Sequence, residues 1–255
     1  MSYIGNRLLS SLLLCAAVSG CAASVTDEQL SEDAASVAVK GSFELYRGVD
    51  DQFYFHFESG QGEILLYSEA YESRTGALNG VLSVLENGDI SGRYVVREGE
   101  DGLSYAHLRA GNGRIVASSA GFLTRDEAFA VVGGATGAVA SYNDHWSERT
   151  GSRFEVFLGS GAQYYFRLHA GNGEQVLRSE AYASEAAALN GAFATAEYGV
   201  DPAAFSIVQS GSGYHFNVRA PNNEIIATSE IYSTKASAER ARDSIIALLP
   251  KVELL

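Results

Sequence analysis

The sequence predicts an α+β fold: four β-β-β-α repeats paired into two pseudo-symmetric domains, each an antiparallel sheet covered by helices. Three observations lead there. Aromatic landmarks recur at fixed offsets: Phe43 to Tyr94, Tyr54 to Tyr105 and Tyr71 to Phe122 are each 51 residues apart, and Phe43 to Phe154 and Tyr71 to Tyr182 are each 111 apart. A fourth copy fits an offset of 162 at Phe205 and 161 at Tyr232, so one residue is missing from its first turn. Recurrence at this period marks a repeated structural unit. Within each copy, period-two alternation is followed by helical periodicity, the signatures of half-buried strands and of an amphipathic helix.

The first unit shows the grammar. A short strand, Phe43 to Arg47, passes through a Gly/Asp turn into a second, Gln52 to Glu58, where Phe53, Phe55 and Phe57 alternate with Tyr54 and His56. Aromatic enrichment at period two fits a pleated surface with one buried face. The equivalent inward sets are Ser104, Ala106 and Leu108, then Tyr164, Phe166 and Leu168, then Tyr214, Phe216 and Val218. Gly60-Gln61-Gly62, Gly111-Asn112-Gly113, Gly171-Asn172-Gly173 and Pro221-Asn222-Asn223 follow as hairpin turns. Asn-Gly suits a tight hairpin because both residues tolerate positive φ. A third strand, Ile64 to Ser68 and its counterparts, completes the β portion.

Next come the aromatics Tyr71, Phe122, Tyr182 and Tyr232, each followed two residues later by Ser73, Thr124, Ser184 or Thr234. These hydroxyls are predicted helix N-caps, and Thr124 with Glu127 has capping-box spacing. Ala77, Leu78, Val81, Leu82 and Leu85, or Ala238, Ala241, Ile245, Leu248 and Leu249, then recur on one helical face. Units one and three share Asn79-Gly80 and Asn190-Gly191 inside the helix, and units two and four do not. A glycine in mid-helix costs about 1 kcal/mol relative to alanine, so its recurrence predicts a close backbone approach near the axis relating paired units.

One unit of about 50 residues offers too little burial to stand alone, so pairing is expected. The predicted organisation is a domain at 42–141 (repeats 42–91 and 92–141), a linker at 142–151, and a second domain at 152–255 (repeats 152–201 and 202–255). Residues 1–20 read as an export signal: Arg7 is the only charge and precedes the apolar stretch Leu8 to Val18, too short to span a bilayer. Val18-Ser19-Gly20-Cys21 resembles the lipobox of bacterial lipoproteins, which implies diacylation of the Cys21 thiol and cleavage just before it. Only two cysteines are present, and Cys15 lies within the signal, so Cys21 has no disulfide partner in a processed chain. Residues 21–41 read as an acidic, Ala/Ser-rich tether without aromatics. Ala22 after the cysteine, where an aspartate would favour inner-membrane retention, implies the outer membrane.

The chain has 255 residues, 18 basic against 31 acidic, and a formal charge of −13. This excess repels polyanions, so no nucleic-acid partner is expected. The candidates for chemistry are few. His56 and His107 take equivalent outward positions on the second strand, where units three and four have Arg167 and Asn217, which reads as a generic polar strand site. His145 and Trp146 fall in the predicted linker, and His169 and His215 show no metal-ligand spacing with acidic or thiol partners. Gly133-Gly134-Ala135-Thr136-Gly137 lacks the following Lys-Ser/Thr of a phosphate loop and falls inside a predicted helix. Asp50-Asp51 and Glu98 to Asp101 are turn acids without the periodic ligands of a calcium loop. No catalytic, cofactor-binding or metal residue is assigned; Cys21 is assigned as the lipidation site.

The FELY start at Phe43, the AGNG hairpins, the SEAY segment and the Ser-x-x-x-Ala-Leu-Asn-Gly helix start resemble the YegP-like family of small tandem-repeat proteins of unknown function. The resemblance covers Ser42 to Leu249 and is strongest in units one and three. It implies two repeats building one continuous sheet, with a strand after each helix exchanged between repeats. Val139 to Tyr142, and Val252 to Leu255 after Pro250, stand where such strands would be. It carries over no catalytic or ligand residue. The expected function is a membrane-anchored, non-enzymatic envelope lipoprotein that binds an envelope protein or a glycan. The alternative is a hydrolase or other enzyme with a site between the domains near His145, Trp146, Asp144 and Glu148. In a purely structural role, Tyr54, Tyr105 and Tyr165 would make lateral sheet contacts.

Overall fold

The computed structural model describes residues 41–252 and 254, and of Ser147 and Glu148 the backbone alone. The signal, the tether except Gly41, and Cys21 lie outside the described residues.

The first six strands are β1 (Ser42–Arg47), β2 (Phe53–Glu58), β3 (Ile64–Ser68), β4 (Tyr94–Glu98), β5 (Ser104–Arg109) and β6 (Ile115–Ser118). They form one antiparallel sheet in the order β1-β2-β3-β6-β5-β4. Its helices are α1 (Arg74–Asn87) and α2 (Arg125–Glu148). The second sheet comprises β7 (Arg153–Leu158), β8 (Tyr164–His169), β9 (Gln175–Arg178), β10 (Phe205–Ser210), β11 (Gly213–Arg219) and β12 (Ile225–Ser229), in the order β10-β11-β12-β9-β8-β7. Its helices are α3 (Glu185–Tyr198) and α4 (Lys235–Leu248). Both sheets are continuous across a central pair, β3 on β6 and β9 on β12, which places a pseudo-two-fold axis between paired repeats.

Local chemistry places these elements as the sequence predicts. Ser73, Thr124, Ser184 and Thr234 each accept a hydrogen bond from the backbone N–H three residues on, and Thr124 with Glu127 closes a reciprocal capping box. Tyr71, Phe122, Tyr182 and Tyr232 are pinned to their own second strands by paired backbone bonds, as in Tyr71 N–H to Phe53 O at 2.9 Å and Phe53 N–H to Tyr71 O at 2.8 Å. The rings of Tyr71, Tyr182 and Tyr232 then stack on Phe55, Phe166 and Phe216.

The second hairpin of each repeat is not the two-positive-φ turn expected. In unit two, Gly113 N–H reaches Ala110 O at 2.8 Å, Ala110 N–H reaches Arg114 O at 2.9 Å, and Gly113 alone has positive φ, at 81°. This is a three-residue loop with a glycine bulge, and the register shifts beside it at Leu108/Arg109. Asn112 contributes its side chain instead, Oδ1 accepting from Arg114 N–H at 3.0 Å.

The largest departure is at 142–151. Residues 142–148, expected as linker, are the last turns of α2, which runs for 24 residues where the other helices have 14. No glycine or proline interrupts them, and Gly133 and Gly134 are tolerated within the helix. The extension is held by packing. Tyr142, 1% exposed, packs edge-on against Phe43 (5.3 Å, 84°) and Phe57 (6.1 Å, 85°) and stacks on Trp146 one turn later (5.6 Å). Unit two has Ser104 and Ala106 where other units have aromatics, and there Val96 and Ala128, with Phe122 and Val132 packed against them, close around Ala106. The strand exchange implied by resemblance is absent among the described residues. Val139 to Tyr142 is helical, and after α4 a 3-10 turn, Leu249–Lys251, delivers Leu249 and Val252 into the second core without a strand.

The two domains meet helix to helix. Leu78 and Leu189, together with Ala186, form a buried cluster between α1 and α3, with Leu45, Leu82, Val156 and Phe193 packed around it. Arg74 Nη2 bonds Glu197 Oε2 at 2.8 Å across the same interface. Among the described residues no helix is long and apolar enough to cross a membrane.

Candidate functional site: the uncovered sheet faces

Period-two alternation gives each sheet two unlike faces. One carries Phe43, Phe55, Phe57, Leu66 and Leu108 beneath the helices, all buried. Residues that alternate with these line the other face, which no described helix covers. Register fixes a full row across the first sheet: Glu44, His56, Tyr67, Ser118, His107 and Val95 are successive cross-strand partners. The same row of the second sheet reads Glu155, Arg167, Arg178, Thr228, Asn217 and Ser206.

Aromatic pairs flank these rows. Tyr46 and Tyr54 stack across β1 and β2 at 5.7 Å and 18°, and Phe157 and Tyr165, 111 residues on, stack across β7 and β8 at 5.8 Å and 23°. Tyr46 and Tyr67 remain 40% exposed. Tyr54 donates to Asp50 Oδ2 at 2.7 Å, and Tyr105 makes the same bond to Asp101. These turn acids are thereby engaged, and the phenol bond holds each carboxyl below the usual carboxylate range.

Histidines are where the structure departs furthest from sequence spacing. His56 does sit on the outward side of its strand, yet it is 9% exposed, with Nε2 3.1 Å from Glu44 Oε2 and 2.9 Å from Glu58 Oε1. His169 Nε2 lies 2.8 Å from Glu155 Oε2, and Arg167 grips the same carboxylate with Nε and Nη2 at 2.9 and 2.8 Å. Those hydrogen bonds, Arg167 first and His169 second, hold Glu155 down to about 2 against the opposing effect of burial. His107 bonds Ser118 Oγ at 2.7 Å, and burial, with Arg97 and Arg109 nearby, pushes its imidazole down. The acidic partners of His56 and His169 were therefore missed by reading along the chain. The signal was present as the i, i+2 pair His56/Glu58 opposite Glu44, and only strand register unites them.

The region proposed for an enzyme site is different in kind. Trp146 faces the second domain across a recess lined by Leu82, Leu85, Phe154, Val156 and Leu189, and Arg149 stacks on the Trp146 ring. His145 is exposed on α2, and no hydrogen bond among the described residues joins it to a carboxylate. Gly133-Gly134-Ala135-Thr136-Gly137 is helical and cradles nothing.

Comparison with known proteins decides the lineage. The family described as a domain of unknown function, DUF1508, matches residues 49–94, 160–192 and 210–253. A UPF0339 protein of Shewanella oneidensis is 37% identical over 81 residues, 32% of this chain and 74% of the relative. The UPF0339 protein YegP of Escherichia coli is 39% identical over 84 residues, 33% of this chain and 76% of that one. The chain belongs to the UPF0339 (YegP-like) family. The solution structure of E. coli YegP, a protein of unknown function, shares 37% identity, covering 39% of this chain and 87% of that one at a TM-score of 0.34. The family model matches three separate stretches of the chain, so the family unit recurs along it.

Proposed function

We propose that this UPF0339 protein is a non-enzymatic, envelope-anchored binding module, tethered by acylated Cys21 and residues 21–41 to the outer membrane. Its ligand would be a glycan of the envelope, taken on the uncovered sheet faces. The observation that carries the reading is the recurrence of the ring pairs Tyr46–Tyr54 and Phe157–Tyr165 at equivalent positions on faces without a covering helix. Aromatic planes beside carboxylates and hydroxyls match the alternating apolar and hydrogen-bonding character of a sugar, and amphipathic tyrosine suits a surface that is half dry and half wet. Two such platforms on one chain favour a repetitive ligand, because the second contact becomes intramolecular. Two or three acyl chains at Cys21 would give stable anchoring, since one chain alone is marginal. No observation favours an enzyme between the domains, and the acidic balance disfavours nucleic acid.

Two measurements test this. A Cys21→Ala variant is expected to lose acyl labelling and membrane fractionation; unchanged membrane association defeats the anchor. Co-sedimentation with insoluble envelope glycan is expected to fall at least about tenfold when Tyr46, Tyr54, Phe157 and Tyr165 are all replaced by alanine. Equal sedimentation of that variant defeats the binding surface.

A further inference from the structure

We infer that Glu44, His56 and Glu58 form a divalent-cation site specific to the first repeat, with a first-row metal such as zinc as its ligand. The inference is independent of the envelope reading. His56 Nε2 and one oxygen from each carboxylate all lie within 4.8 Å of one another, converging on one point of the uncovered face. The Nε2 to oxygen spacings are 3.1 and 2.9 Å. Ligands about 2.0–2.1 Å from a tetrahedral zinc stand about 3.3 Å apart, so the two nitrogen–oxygen spacings need only a small expansion, and the carboxylate oxygens are already within 4.8 Å of each other. One imidazole nitrogen and two carboxylate oxygens are borderline-to-hard donors, which suit zinc and its neighbours and leave a coordination position for water or a ligand.

The other three repeats supply internal controls. The same three positions hold Val95, His107 and Arg109 in repeat two, and Ser206, Asn217 and Arg219 in repeat four, where Arg219 Nε bonds Ser206 Oγ at 3.3 Å. In repeat three they hold Glu155, Arg167 and His169, and the Arg167 guanidinium sits against Glu155 as a built-in cation. Every repeat but the first therefore carries an arginine within this trio. Among the described residues neither Glu44 nor Glu58 pairs with a lysine or arginine; their ion-pair partner is His56 alone. With a neutral imidazole the trio carries two negative charges beside the buried His56, one on Glu58 (side chain 28% exposed) and one on the open Glu44 (65%). Two like charges this close repel each other, and a bound divalent ion neutralises them.

The experiment is zinc titration of the untagged full chain in detergent, stripped with chelator and read by competition against a chromophoric indicator. The wild type is expected to bind zinc in the micromolar range or tighter at His56. The double variant E44Q/E58Q, isosteric and uncharged, and separately His56→Gln, are each expected to weaken this binding at least about tenfold. A transplant gives the converse: R167H/H169E rebuilds the Glu-His-Glu set in repeat three and is expected to add one zinc equivalent. No binding by the wild type at ~1 mM zinc, about 4 kcal/mol of affinity, overturns the site. Undiminished binding by both E44Q/E58Q and His56→Gln overturns it equally.

Discussion

Leu78 and Leu189, 111 residues apart and equivalent in their repeats, are buried in one cluster where α1 meets α3. The two domains thus associate through the same helix of the first repeat in each, a quasi-isologous interface within one chain. Its core is small and apolar, with the Arg74–Glu197 pair at its edge. A Leu78→Asp substitution places an unpaired charge in that cluster, which costs several kcal/mol at about the strength of an inter-domain interface. The expected outcome is two calorimetric unfolding transitions and a larger radius of gyration by scattering. A single transition at the wild-type temperature would show that the interface is held elsewhere.

Gly80 and Gly191 lie under the rings of their own repeats. A Cβ at Gly80 would collide with the Tyr71 hydroxyl and come within 2.7 Å of Phe55 Cε1, and Gly191 faces Tyr182 and Phe166 likewise. The close approach expected from sequence is present, but it is made to the anchor tyrosine and not at the axis relating paired repeats. Gly80→Ala and Gly191→Ala are expected to destabilise by about 1–3 kcal/mol through overpacking. Gly133, exposed in α2 with nothing within 4 Å of its Cβ position, should gain up to about 1 kcal/mol as alanine. Denaturant midpoints measure both, and the opposite signs distinguish packing from helix propensity.

A serine repeated four times ties each third strand to its second. Ser68, Ser119, Ser179 and Ser229 accept from the N–H of Phe55, Ala106, Phe166 and Phe216 at 2.8–3.0 Å, and donate to the carbonyl of the next residue. Ser179→Ala would leave the Phe166 N–H buried without its partner, costing about 1–3 kcal/mol. Ser179→Thr keeps the hydroxyl and is expected to recover part of that loss. An alanine variant as stable as wild type would mean that water replaces the hydroxyl.

The Glu155 triad predicts a pH dependence with a defined sign. Its folded value of about 2 lies below the ordinary 4.5, so its contribution is fully present above about pH 4.5 and is lost as pH falls toward 2. The Glu155 side chain is 34% exposed, and solvent screening reduces the contribution to the order of 1 kcal/mol. Glu155→Gln should therefore be less stable than wild type at pH 6, with the difference shrinking below about pH 4.5 and closing only as pH falls through about 2. A constant gap across that range would count against the ion triad.

The sequence by itself determined the repeat, its strand and helix order, the four N-caps and the inward aromatic sets, because each depends on short-range periodicity or on a residue three positions away. Unit two shows the limit of that reading. Its missing aromatics suggest a weak core, yet Val96, Ala128, Phe122 and Val132 close around Ala106, while Tyr142, on the continuation of α2, packs against Phe43 and Phe57 of unit one. The absence of glycine and proline permits a helix at residues 142–148 without requiring one; burial of Tyr142 against β1 and β2, with Trp146 stacked on it, decides the matter. Tertiary structure alone decided three further things. It placed Glu44 opposite His56, since strand register joins residues 12 apart in sequence. It set the repeats' α1 and α3 against each other, and among the described residues it left one face of each sheet without a covering helix. Periodicity names which side chains share a face, but which faces find a partner depends on how the whole chain closes on itself.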